Sequence, residues 1–236
     1  MYPECMHRLA ALLLVLAFAV GCARFPGGGG GPPGRRLRFT IRLDGPVNPN
    51  FVYMVAIDDD DDLFGDDGPI PVVARPWGNG FMAGQATHFV RYDGFLPSGG
   101  YALFKFIDLV NLSTWVLIGL PVDFITPGPD DDTLVFEIDL SQIRPPPGDP
   151  LAIEALQINI LTMDRVPTDP NDPNPRFWDA LGDSRDPASI TDYITIDVTT
   201  DRIFRNSDFG DLEVQGDVPD PSLDIVDWSI EVRTVP

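Results

Sequence analysis

The sequence predicts an all-β protein, a single β-sandwich of the jelly-roll or Ig-like type with about ten strands and long irregular loops. Apolar and polar residues alternate with a period of two along much of the chain. Residues that favour turns are abundant, with 25 Pro, 22 Gly and 31 Asp among 236 residues. Helix-favouring Glu and Lys number only five and one, so the composition argues against a helical bundle or coiled coil.

Five segments have the alternation of a strand with one buried face and one exposed face. Apolar side chains occupy every second position, and the positions between them are mostly polar or charged. These segments are Leu37–Leu43, Leu134–Leu140, Leu156–Ile160, Ile194–Val198 and Val226–Val232. The last of them carries Trp228 on its apolar side, so we expect this ring to lie in the core.

Five further segments are more uniformly apolar, which is typical of central strands buried on both faces. They are Phe51–Ile57, Ile70–Val73, Phe89–Tyr92, Tyr101–Ile107 and Trp115–Leu120. One helical turn is expected at Pro187–Asp192, with Asp186 as its N-cap and Pro in its first position. The segment Leu161–Ile190 has little periodicity, and long irregular segments of compact domains often bind partners.

The charge of the chain narrows the classes of partner. Its 36 acidic residues exceed its 16 basic ones, which gives a formal net charge of −20. Such a surface repels nucleic acid phosphates and anionic lipid head groups, so binding to nucleic acid or to a membrane surface is disfavoured. The hydrophobic content of 44% is sufficient for a buried core.

Residues 1–21 are predicted to be a signal peptide. His7 and Arg8 precede an unbroken apolar run of twelve residues, Leu9–Val20, which is shorter than the ~20 residues that span a membrane. The run ends in Ala19-Val20-Gly21-Cys22, which resembles the bacterial lipobox, with Ala19 where Leu is usual. The alternative is an ordinary signal peptide in which Cys22 has no role.

The lipobox resemblance implies a lipoprotein that is cleaved before Cys22 and acylated on it. The partner is then a lipid bilayer, on the periplasmic or extracellular side of a bacterial envelope. Residues 22–36 contain a Gly/Pro-rich tether that separates the bilayer from a predicted domain over 37–236. Because Cys5 leaves with the signal peptide, Cys22 is the only remaining cysteine, and an internal disulfide is excluded.

The densest acidic segment, residues 58–67, is a candidate cation site. It contains seven Asp in ten residues directly after a predicted strand. A Ca²⁺ ion with six to eight oxygen ligands would relieve their mutual repulsion, although the spacing does not fit an EF-hand. The alternative is a solvated acidic loop. The proposed ligands are Asp58, Asp60, Asp62, Asp66 and Asp67.

A second group of acids lies in the irregular segment and is interleaved with Pro and Asn. Turn formation is the favoured interpretation, since Asp before Pro or Gly is typical of Asx-turns and β-turns, and Ca²⁺ ligation is the alternative. The group comprises Asp164, Asp169, Asp172, Asp179, Asp183 and Asp186.

Four aromatic residues in predicted loops suggest a carbohydrate-binding surface. Loop aromatics stack on sugar rings, and nearby Asp and Asn can bind hydroxyl groups. The alternative is that these rings close the ends of the sandwich. The candidates are Trp77, Phe81, Phe177 and Trp178.

No catalytic residue is identified, and the chain is predicted not to be an enzyme. It has no G-x-S-x-G, P-loop, G-x-G-x-x-G or H-E-x-x-H motif. The mature chain keeps one histidine, His88, at the start of a predicted strand, where a structural role is expected. Pairs of Asp suited to glycoside hydrolysis depend on separation in space, which the sequence does not give.

The predicted function is a cell-envelope lipoprotein with a non-catalytic structural or surface-binding β-sandwich. The Asp-rich loop and the pattern from Pro71 to Pro76-Trp77-Gly78-Asn79-Gly80 resemble uncharacterised secreted β-sandwich lipoproteins, a resemblance that implies no activity. The alternatives are a carbohydrate-binding module at the cell surface, with polysaccharide as its partner, and a surface protein that assembles with other copies of itself through exposed edge strands.

Overall fold

The computed structural model describes residues 34–59, 68–71, 80–97, 99–145, 147–166, 174–186, 189 and 192–236. The described residues belong to one compact unit. They form 14 strands and one short α-helix, which confirms the all-β class. None of the helices in these ranges has the length and apolar character needed to cross a membrane.

The strands vary widely in length, from three residues to eleven. In chain order they are β1 (Gly34–Leu43), β2 (Val52–Asp58), β3 (Pro69–Pro71), β4 (Met82–Gly84), β5 (His88–Tyr92), β6 (Tyr101–Phe106), β7 (Trp115–Gly119), β8 (Asp123–Ile125), β9 (Thr133–Asp139), β10 (Ala155–Met163), β11 (Trp178–Ala180), β12 (Ile194–Asp197), β13 (Arg202–Arg205) and β14 (Ile225–Val235).

Three short helical segments lie entirely within the described residues. The α-helix α1 (Leu140–Ile143) follows β9 directly because Asp139 caps it: its Oδ1 accepts the Ser141 N–H at 2.9 Å, and Gln142 Oε1 accepts the Asp139 N–H at 3.1 Å. This capping box ends the strand and starts the helix. The other two segments are 3-10 helices, at Pro150–Ala152 and Asn206–Phe209.

The strands form two large antiparallel sheets and one hairpin. The five-stranded sheet has the order β13-β14-β1-β9-β8, and the hairpin consists of β3 and β4. The seven-stranded sheet has the order β11-β10-β2-β5-β6-β7, and β12 also pairs with β10. Both β11 and β12 therefore lie on the same side of β10, at different positions along it.

The two large sheets pack face to face across the main hydrophobic core. On β1 the inward residues Leu37, Phe39 and Ile41 are at most 3% exposed, and they alternate with arginines on the outer face. Tyr101 of the seven-stranded sheet contacts Phe136 of the five-stranded sheet, with ring centroids 5.7 Å apart. The period-two pattern of the sequence thus produces the sandwich-like arrangement directly.

A second, smaller core covers the outer face of the seven-stranded sheet. It contains Phe81, Phe89, Phe106 and Leu161. Trp115 of β7 packs against its edge, with its ring 5.5 Å from that of Phe81. This sheet is therefore buried on both faces near its centre, which explains the uniformly apolar sequence of β2. In β10 the same burial encloses the polar Gln157, Asn159 and Thr162.

All ten predicted strands contain an observed strand. The predicted count was too low, because β4, β8, β11 and β13 are only three or four residues long and carry no readable alternation. Trp228 is 2% exposed, as expected. Two position predictions were wrong: Trp115–Leu120 contains an edge strand, and the described part of Ile70–Val73, residues 70 and 71, belongs to the two-stranded sheet of β3 and β4.

The predicted boundaries are only partly visible. Residues 1–33, with Cys22, lie outside the described ranges, as does most of the predicted helical turn at 187–192. β1 begins at Gly34, inside the predicted tether.

We expect Phe39→Ala to lower the free energy of unfolding by about 3–5 kcal/mol. The Phe39 ring is fully buried and stacks on Phe136 with centroids 4.8 Å apart, so truncation leaves a cavity between the sheets. Phe95→Ala is the matched control, because Phe95 is 78% exposed and its loss should change stability by less than about 0.5 kcal/mol. Chemical denaturation measures both, and equal effects would contradict the position of the core.

Candidate functional site

Four acidic side chains converge at one end of the seven-stranded sheet, where β11 meets the segment that leads into β14. Asp179 lies on β11, and Glu213, Asp217 and Asp224 lie between the second 3-10 helix and β14. Their exposed fractions are 0%, 7%, 8% and 1% respectively. We call these four residues the carboxylate cluster.

Asp179 is fixed by hydrogen bonds to three parts of the chain. Its Oδ1 accepts the Ala180 N–H at 2.9 Å and the Ser184 hydroxyl at 2.6 Å. Its Oδ2 accepts the Ile225 N–H at 2.7 Å, at the start of β14. The carboxylate therefore joins the edge of one sheet to the first residue of a strand in the other.

Asp217 and Asp224 are each held by one backbone N–H group. Asp217 Oδ2 accepts the Ser184 N–H at 2.7 Å, and Asp224 Oδ2 accepts the Gly216 N–H at 2.8 Å. Gly216 has a φ of +80°, which a residue with a Cβ rarely adopts. The glycine thus permits the turn that brings its N–H group to Asp224.

The segment before β14 is anchored to the neighbouring elements. Thr162 of β10 donates its hydroxyl to the Leu223 carbonyl at 2.5 Å, and Tyr53 of β2 donates to the Ser222 carbonyl at 2.9 Å. Asn206 Oδ1 accepts the Glu213 N–H at 3.1 Å. These contacts hold three of the four acids against the sheet that carries the fourth.

One carboxylate oxygen from each of Asp179, Asp217 and Asp224 lies within 4.8 Å of the others. Glu213 is not in this set of mutual distances, but its charge interacts with those of all three Asp residues. The arrangement concentrates four formal negative charges in a volume from which water is largely excluded, a costly situation without compensation.

Several oxygens of the cluster have no hydrogen-bond partner among the described residues. They are both carboxylate oxygens of Glu213, Asp217 Oδ1 and Asp224 Oδ1. The Gly182 N–H interacts with Glu213 and partly offsets the rise in its pKa. Buried acceptors that lack a donor in the protein need one from outside it, such as a water, a proton or an ion.

The pKa values reflect the same repulsion. Burial, followed by the charge of Asp217, raises the pKa of Asp179 to about 8. Burial and the charges of Asp179 and Asp217 raise the pKa of Glu213 well above its usual value. Burial, with contributions from Asp217 and Asp44, raises the pKa of Asp224 to about 6.

Glu137, on the outer face of the five-stranded sheet, shows how this protein stabilises a buried carboxylate with its own cations. Its side chain is 0% exposed and forms ion pairs with Arg36 at 3.2 Å, with Arg38 at 3.9 Å and with Arg233. Burial acts to raise the pKa of Glu137, but hydrogen bonds from Arg233 and Arg36 lower it below its usual value.

The carboxylate cluster has no comparable partner. No described arginine, lysine or histidine forms an ion pair with any of its four members. Arg185 interacts with Asp217 and Asp224 at longer range, but its guanidinium donates to both oxygens of Asp183, at 2.9 and 3.2 Å. Protons retained on the carboxyl groups, or a bound cation, would balance the charge.

The acidic segment predicted as the cation site is mostly outside the described residues. Asp60, Asp62, Asp66 and Asp67 are among the residues not described. Asp58 is buried at the end of β2 and pairs with Gln157 of β10, whereas Asp179 pairs with Thr162. Five residues of β10 separate these positions, about 17 Å, so Asp58 is remote from the carboxylate cluster.

The second group of predicted acids has a mixed outcome. Asp183 forms the expected Asx-turn, since its Oδ1 accepts the Arg185 N–H at 3.0 Å. The turn interpretation was wrong for Asp179. This residue lies in β11, where it pairs with Thr162 of β10, and its carboxylate accepts the Ile225 N–H. Asp164 directly follows β10 and Asp186 lies in a turn, whereas Asp169 and Asp172 are outside the described residues.

The aromatic candidates for sugar binding are placed as follows. Phe81 is 3% exposed and Trp178 is half-buried, and both line a crevice with no room for a water molecule. Phe177 is 50% exposed, and Trp77 lies outside the described residues. Phe81 and Trp178 therefore contribute to packing in the second core.

His88 is buried beside a cavity of about 230 Å³ that is also lined by Lys105, Gln142 and Ile143. Burial, and then the charge of Lys105, lowers the pKa of His88 to about 4. The imidazole is therefore neutral at neutral pH, as a structural histidine is.

Comparison of the chain with models of known protein families, with curated proteins and with solved structures finds no match. The carboxylate cluster is therefore interpreted from its own geometry.

We expect the cation-free protein to lose stability as the pH rises from about 5 to 8 and to level off above that. In this range the folded chain keeps a proton on Asp179, whose pKa is about 8 when folded, whereas the unfolded chain has released it, so each rise in pH favours unfolding. The melting temperature should fall by at least about 2–4 °C, the change that ~1 kcal/mol produces in a domain of this size. His88 acts in the opposite direction below about pH 6.5, because burial lowers its pKa from 6.5 to about 4, so the loss is clearest above pH 6.5.

Thermal melts in a chelating buffer test this pH dependence. Glu213→Gln removes one of the coupled charges and should flatten the slope, whereas Glu154→Gln removes an exposed charge and should leave the slope unchanged. A melting temperature that does not change with pH across this range would contradict the raised pKa values of the buried cluster.

Proposed function

We propose that this chain is a non-catalytic β-sandwich protein of a bacterial envelope that binds a Ca²⁺ ion in the carboxylate cluster. The observation that carries this proposal is Glu213, which is 7% exposed and has two carboxylate oxygens without a hydrogen-bond partner among the described residues. Together with Asp217 Oδ1 and Asp224 Oδ1, it provides several acceptors that one cation would satisfy simultaneously.

The ligand type and spacing favour Ca²⁺ over other ions. The cluster offers carboxylate oxygens only, whereas Zn²⁺ in proteins is bound mainly by Cys and His. Ca²⁺ binds oxygen at about 2.3–2.6 Å, and one oxygen from each of the three Asp residues lies within 4.8 Å of the others, which is close enough for one ion to contact all three. Mg²⁺ requires shorter distances and retains several waters, which a site this buried does not favour.

The ion would have a structural role. Asp179 belongs to β11 of the seven-stranded sheet, and the other three ligands belong to the segment that enters β14 of the five-stranded sheet. A Ca²⁺ ion between them would fasten the two sheets into one sandwich of the jelly-roll or Ig-like type. With ligands that are at most 8% exposed, the site has no open face for a substrate, which supports a non-catalytic role.

An exported location agrees with such a site. Extracellular Ca²⁺-binding modules have dissociation constants of about 10⁻⁴–10⁻³ M, matched to the Ca²⁺ available outside cells. The signal peptide and the lipobox-like sequence at Cys22 support export followed by attachment to a bilayer. The excess of acidic residues suits a surface in a medium that supplies cations to screen them.

We expect Ca²⁺ to raise the melting temperature of the chelator-treated protein by about 5–10 °C at a concentration a hundred times its dissociation constant. Ca²⁺ stabilises because it binds the folded state and not the unfolded chain. Glu213→Gln should lose most of this rise and should be more stable than the wild type in chelator, because it removes an uncompensated buried charge.

Two comparisons make the Ca²⁺ test specific. Glu154→Gln, which alters the net charge equally but at an exposed position, should keep the full Ca²⁺ effect. Mg²⁺ should give a much smaller rise than Ca²⁺ at the same concentration. If Ca²⁺ leaves the wild-type melt unchanged, or stabilises Glu213→Gln equally, the proposed site is refuted.

The proposed anchor is tested separately. We expect the wild-type chain, produced in a bacterium, to fractionate with membranes and Cys22→Ser to appear in the soluble exported fraction. The reason is that acyl chains contribute about 0.8 kcal/mol per buried methylene, and the variant cannot receive them. Persistent membrane association of Cys22→Ser would contradict lipidation at this residue.

A further inference from the structure

Strand β7 lies at the free edge of the seven-stranded sheet and is apolar on both faces. It pairs with β6 on one side, and no described strand pairs with its other side. Val116, Leu117 and Ile118 are 45%, 62% and 40% exposed, an unusual amount of apolar surface for consecutive residues of a strand. Such an edge presents unpaired backbone groups and apolar side chains together.

The chain around β7 lacks the charges that cover the rest of the protein. Residues 109–122 contain no Asp, Glu, Lys or Arg, although the whole chain carries 52 charged residues. Three of the other described edge strands of the two large sheets carry charged side chains that are not buried: Arg202 and Arg205 in β13, Asp123 in β8 and Asp197 in β12. Charged edges discourage pairing between chains, and β7 carries no charge.

Further exposed apolar residues lie on either side of β7 in the sequence. Leu109 and Val110 precede the strand and are 53% and 87% exposed, and Leu120 and Val122 follow it and are 39% and 42% exposed. Polar residues and the buried Leu112 separate the first pair from the strand, but the concentration of exposed apolar residues within 109–122 distinguishes them from apolar residues scattered singly.

We propose that β7 pairs antiparallel with β7 of a second copy of this chain, about a two-fold axis at Leu117. In this register Leu117 faces Leu117 of the partner copy, and the positions on either side of this pair are the apolar Val116 and Ile118. The pairing of β7 with β6 is irregular at Ile118, since Phe104 pairs with Leu117 and Leu103 with Gly119, so the contact between copies is centred on Leu117. The seven-stranded sheets of the two copies then form one continuous sheet. Such an interface is isologous, as two-fold dimers require.

The distribution of charge makes β7 the place where two copies can meet with the least repulsion. Two molecules with a net charge of −20 repel each other over most of their surfaces. Contact at the uncharged stretch 109–122 brings no like charges into direct opposition. Attachment of both copies to one membrane would further raise their effective concentration.

A lipid bilayer is a less suitable occupant of this surface. The N–H and C=O groups of an open strand edge have no partners in hydrocarbon, and each unsatisfied group costs several kcal/mol there. A second β7 strand satisfies these groups and covers the same apolar side chains. The inference does not depend on the Ca²⁺ site, which is built from other elements.

The oligomeric state of the exported chain carrying Cys22→Ser tests the proposal, because this variant has no acyl group to drive association. Sedimentation velocity should show a dimer that dissociates on dilution. Leu117→Lys should raise its dissociation constant at least about tenfold, since two like charges would lie opposite each other. Leu151→Lys, at another exposed leucine, should leave the constant unchanged.

Cross-linking tests the register through the formation of a covalent dimer, whereas the lysine variants test it through a loss of association. Opposed residues of an antiparallel pair have Cα atoms about 4.5–5.5 Å apart, within the range that a disulfide spans. In the Cys22→Ser background, Leu117→Cys should therefore form a disulfide-linked dimer under mild oxidation, and Leu151→Cys should not.

Three results would overturn the proposal. The first is a Cys22→Ser chain with an unchanged β7 that remains monomeric at all concentrations. The second is an equal dissociation constant for the Leu117→Lys and Leu151→Lys variants. The third is binding of the monomer to phosphatidylcholine vesicles that depends on Leu117. The last result would assign the apolar stretch to lipid.

Discussion

A carboxylate that is removed from water needs a positive partner, and this constraint governs how the two sheets of the protein are held together. The chain has 36 acidic residues and only 16 basic ones, so its own cations cannot serve every acid. Arginines are used on the outer face of the five-stranded sheet, where Arg36 and Arg233 flank Glu137. In the interior, between β11 and the segment entering β14, four carboxylates meet, and no arginine or lysine of the described chain is paired with them. The proposed Ca²⁺ ion would balance these charges at a place where side-chain hydrogen bonds of Asp179, Thr162 and Tyr53 already hold the segment entering β14 against the seven-stranded sheet.

Much of the fold could be predicted from the sequence because period-two alternation has a local physical cause. In β1 the alternation of Leu37 and Phe39 with arginines follows from one buried face and one wet face, and it is legible without knowledge of the partners. The missed strands β11 and β13 exist only because a longer neighbour, β10 or β14, offers a free edge. The position of β7 at an edge was not predictable either, since an apolar run has the same sequence whether neighbours cover both of its sides or only one.

The carboxylate cluster could not be predicted, because its members are not close in the sequence. Asp179 is separated from Asp217 by 38 positions and from Asp224 by 45, and only the pairing of β11 with β10 and the path of the 210–224 segment bring them together. The dense run at 58–67 attracted the prediction because its spacing is local. The isolated Glu213 carried a faint signal: the chain has five Glu in total, and two of them, Glu137 and Glu213, are buried.

The abundance of Asp has a physical explanation that separates ordinary positions from the site. In most turns the Asp side chain accepts the backbone N–H two residues later, as Asp93 does from Phe95, Asp149 from Leu151 and Asp220 from Ser222. Such a contact joins residues that are close in the sequence, and its donor is a backbone N–H. The site residues differ because their carboxylates reach across the fold, as Asp179 does to Ile225 and Asp217 to Ser184. These carboxylates are positioned by the tertiary structure, because each accepts an N–H group that is distant in the sequence. Asp217 also has a second buried oxygen that remains available. Several such groups around one point provide the geometry that a cation site requires.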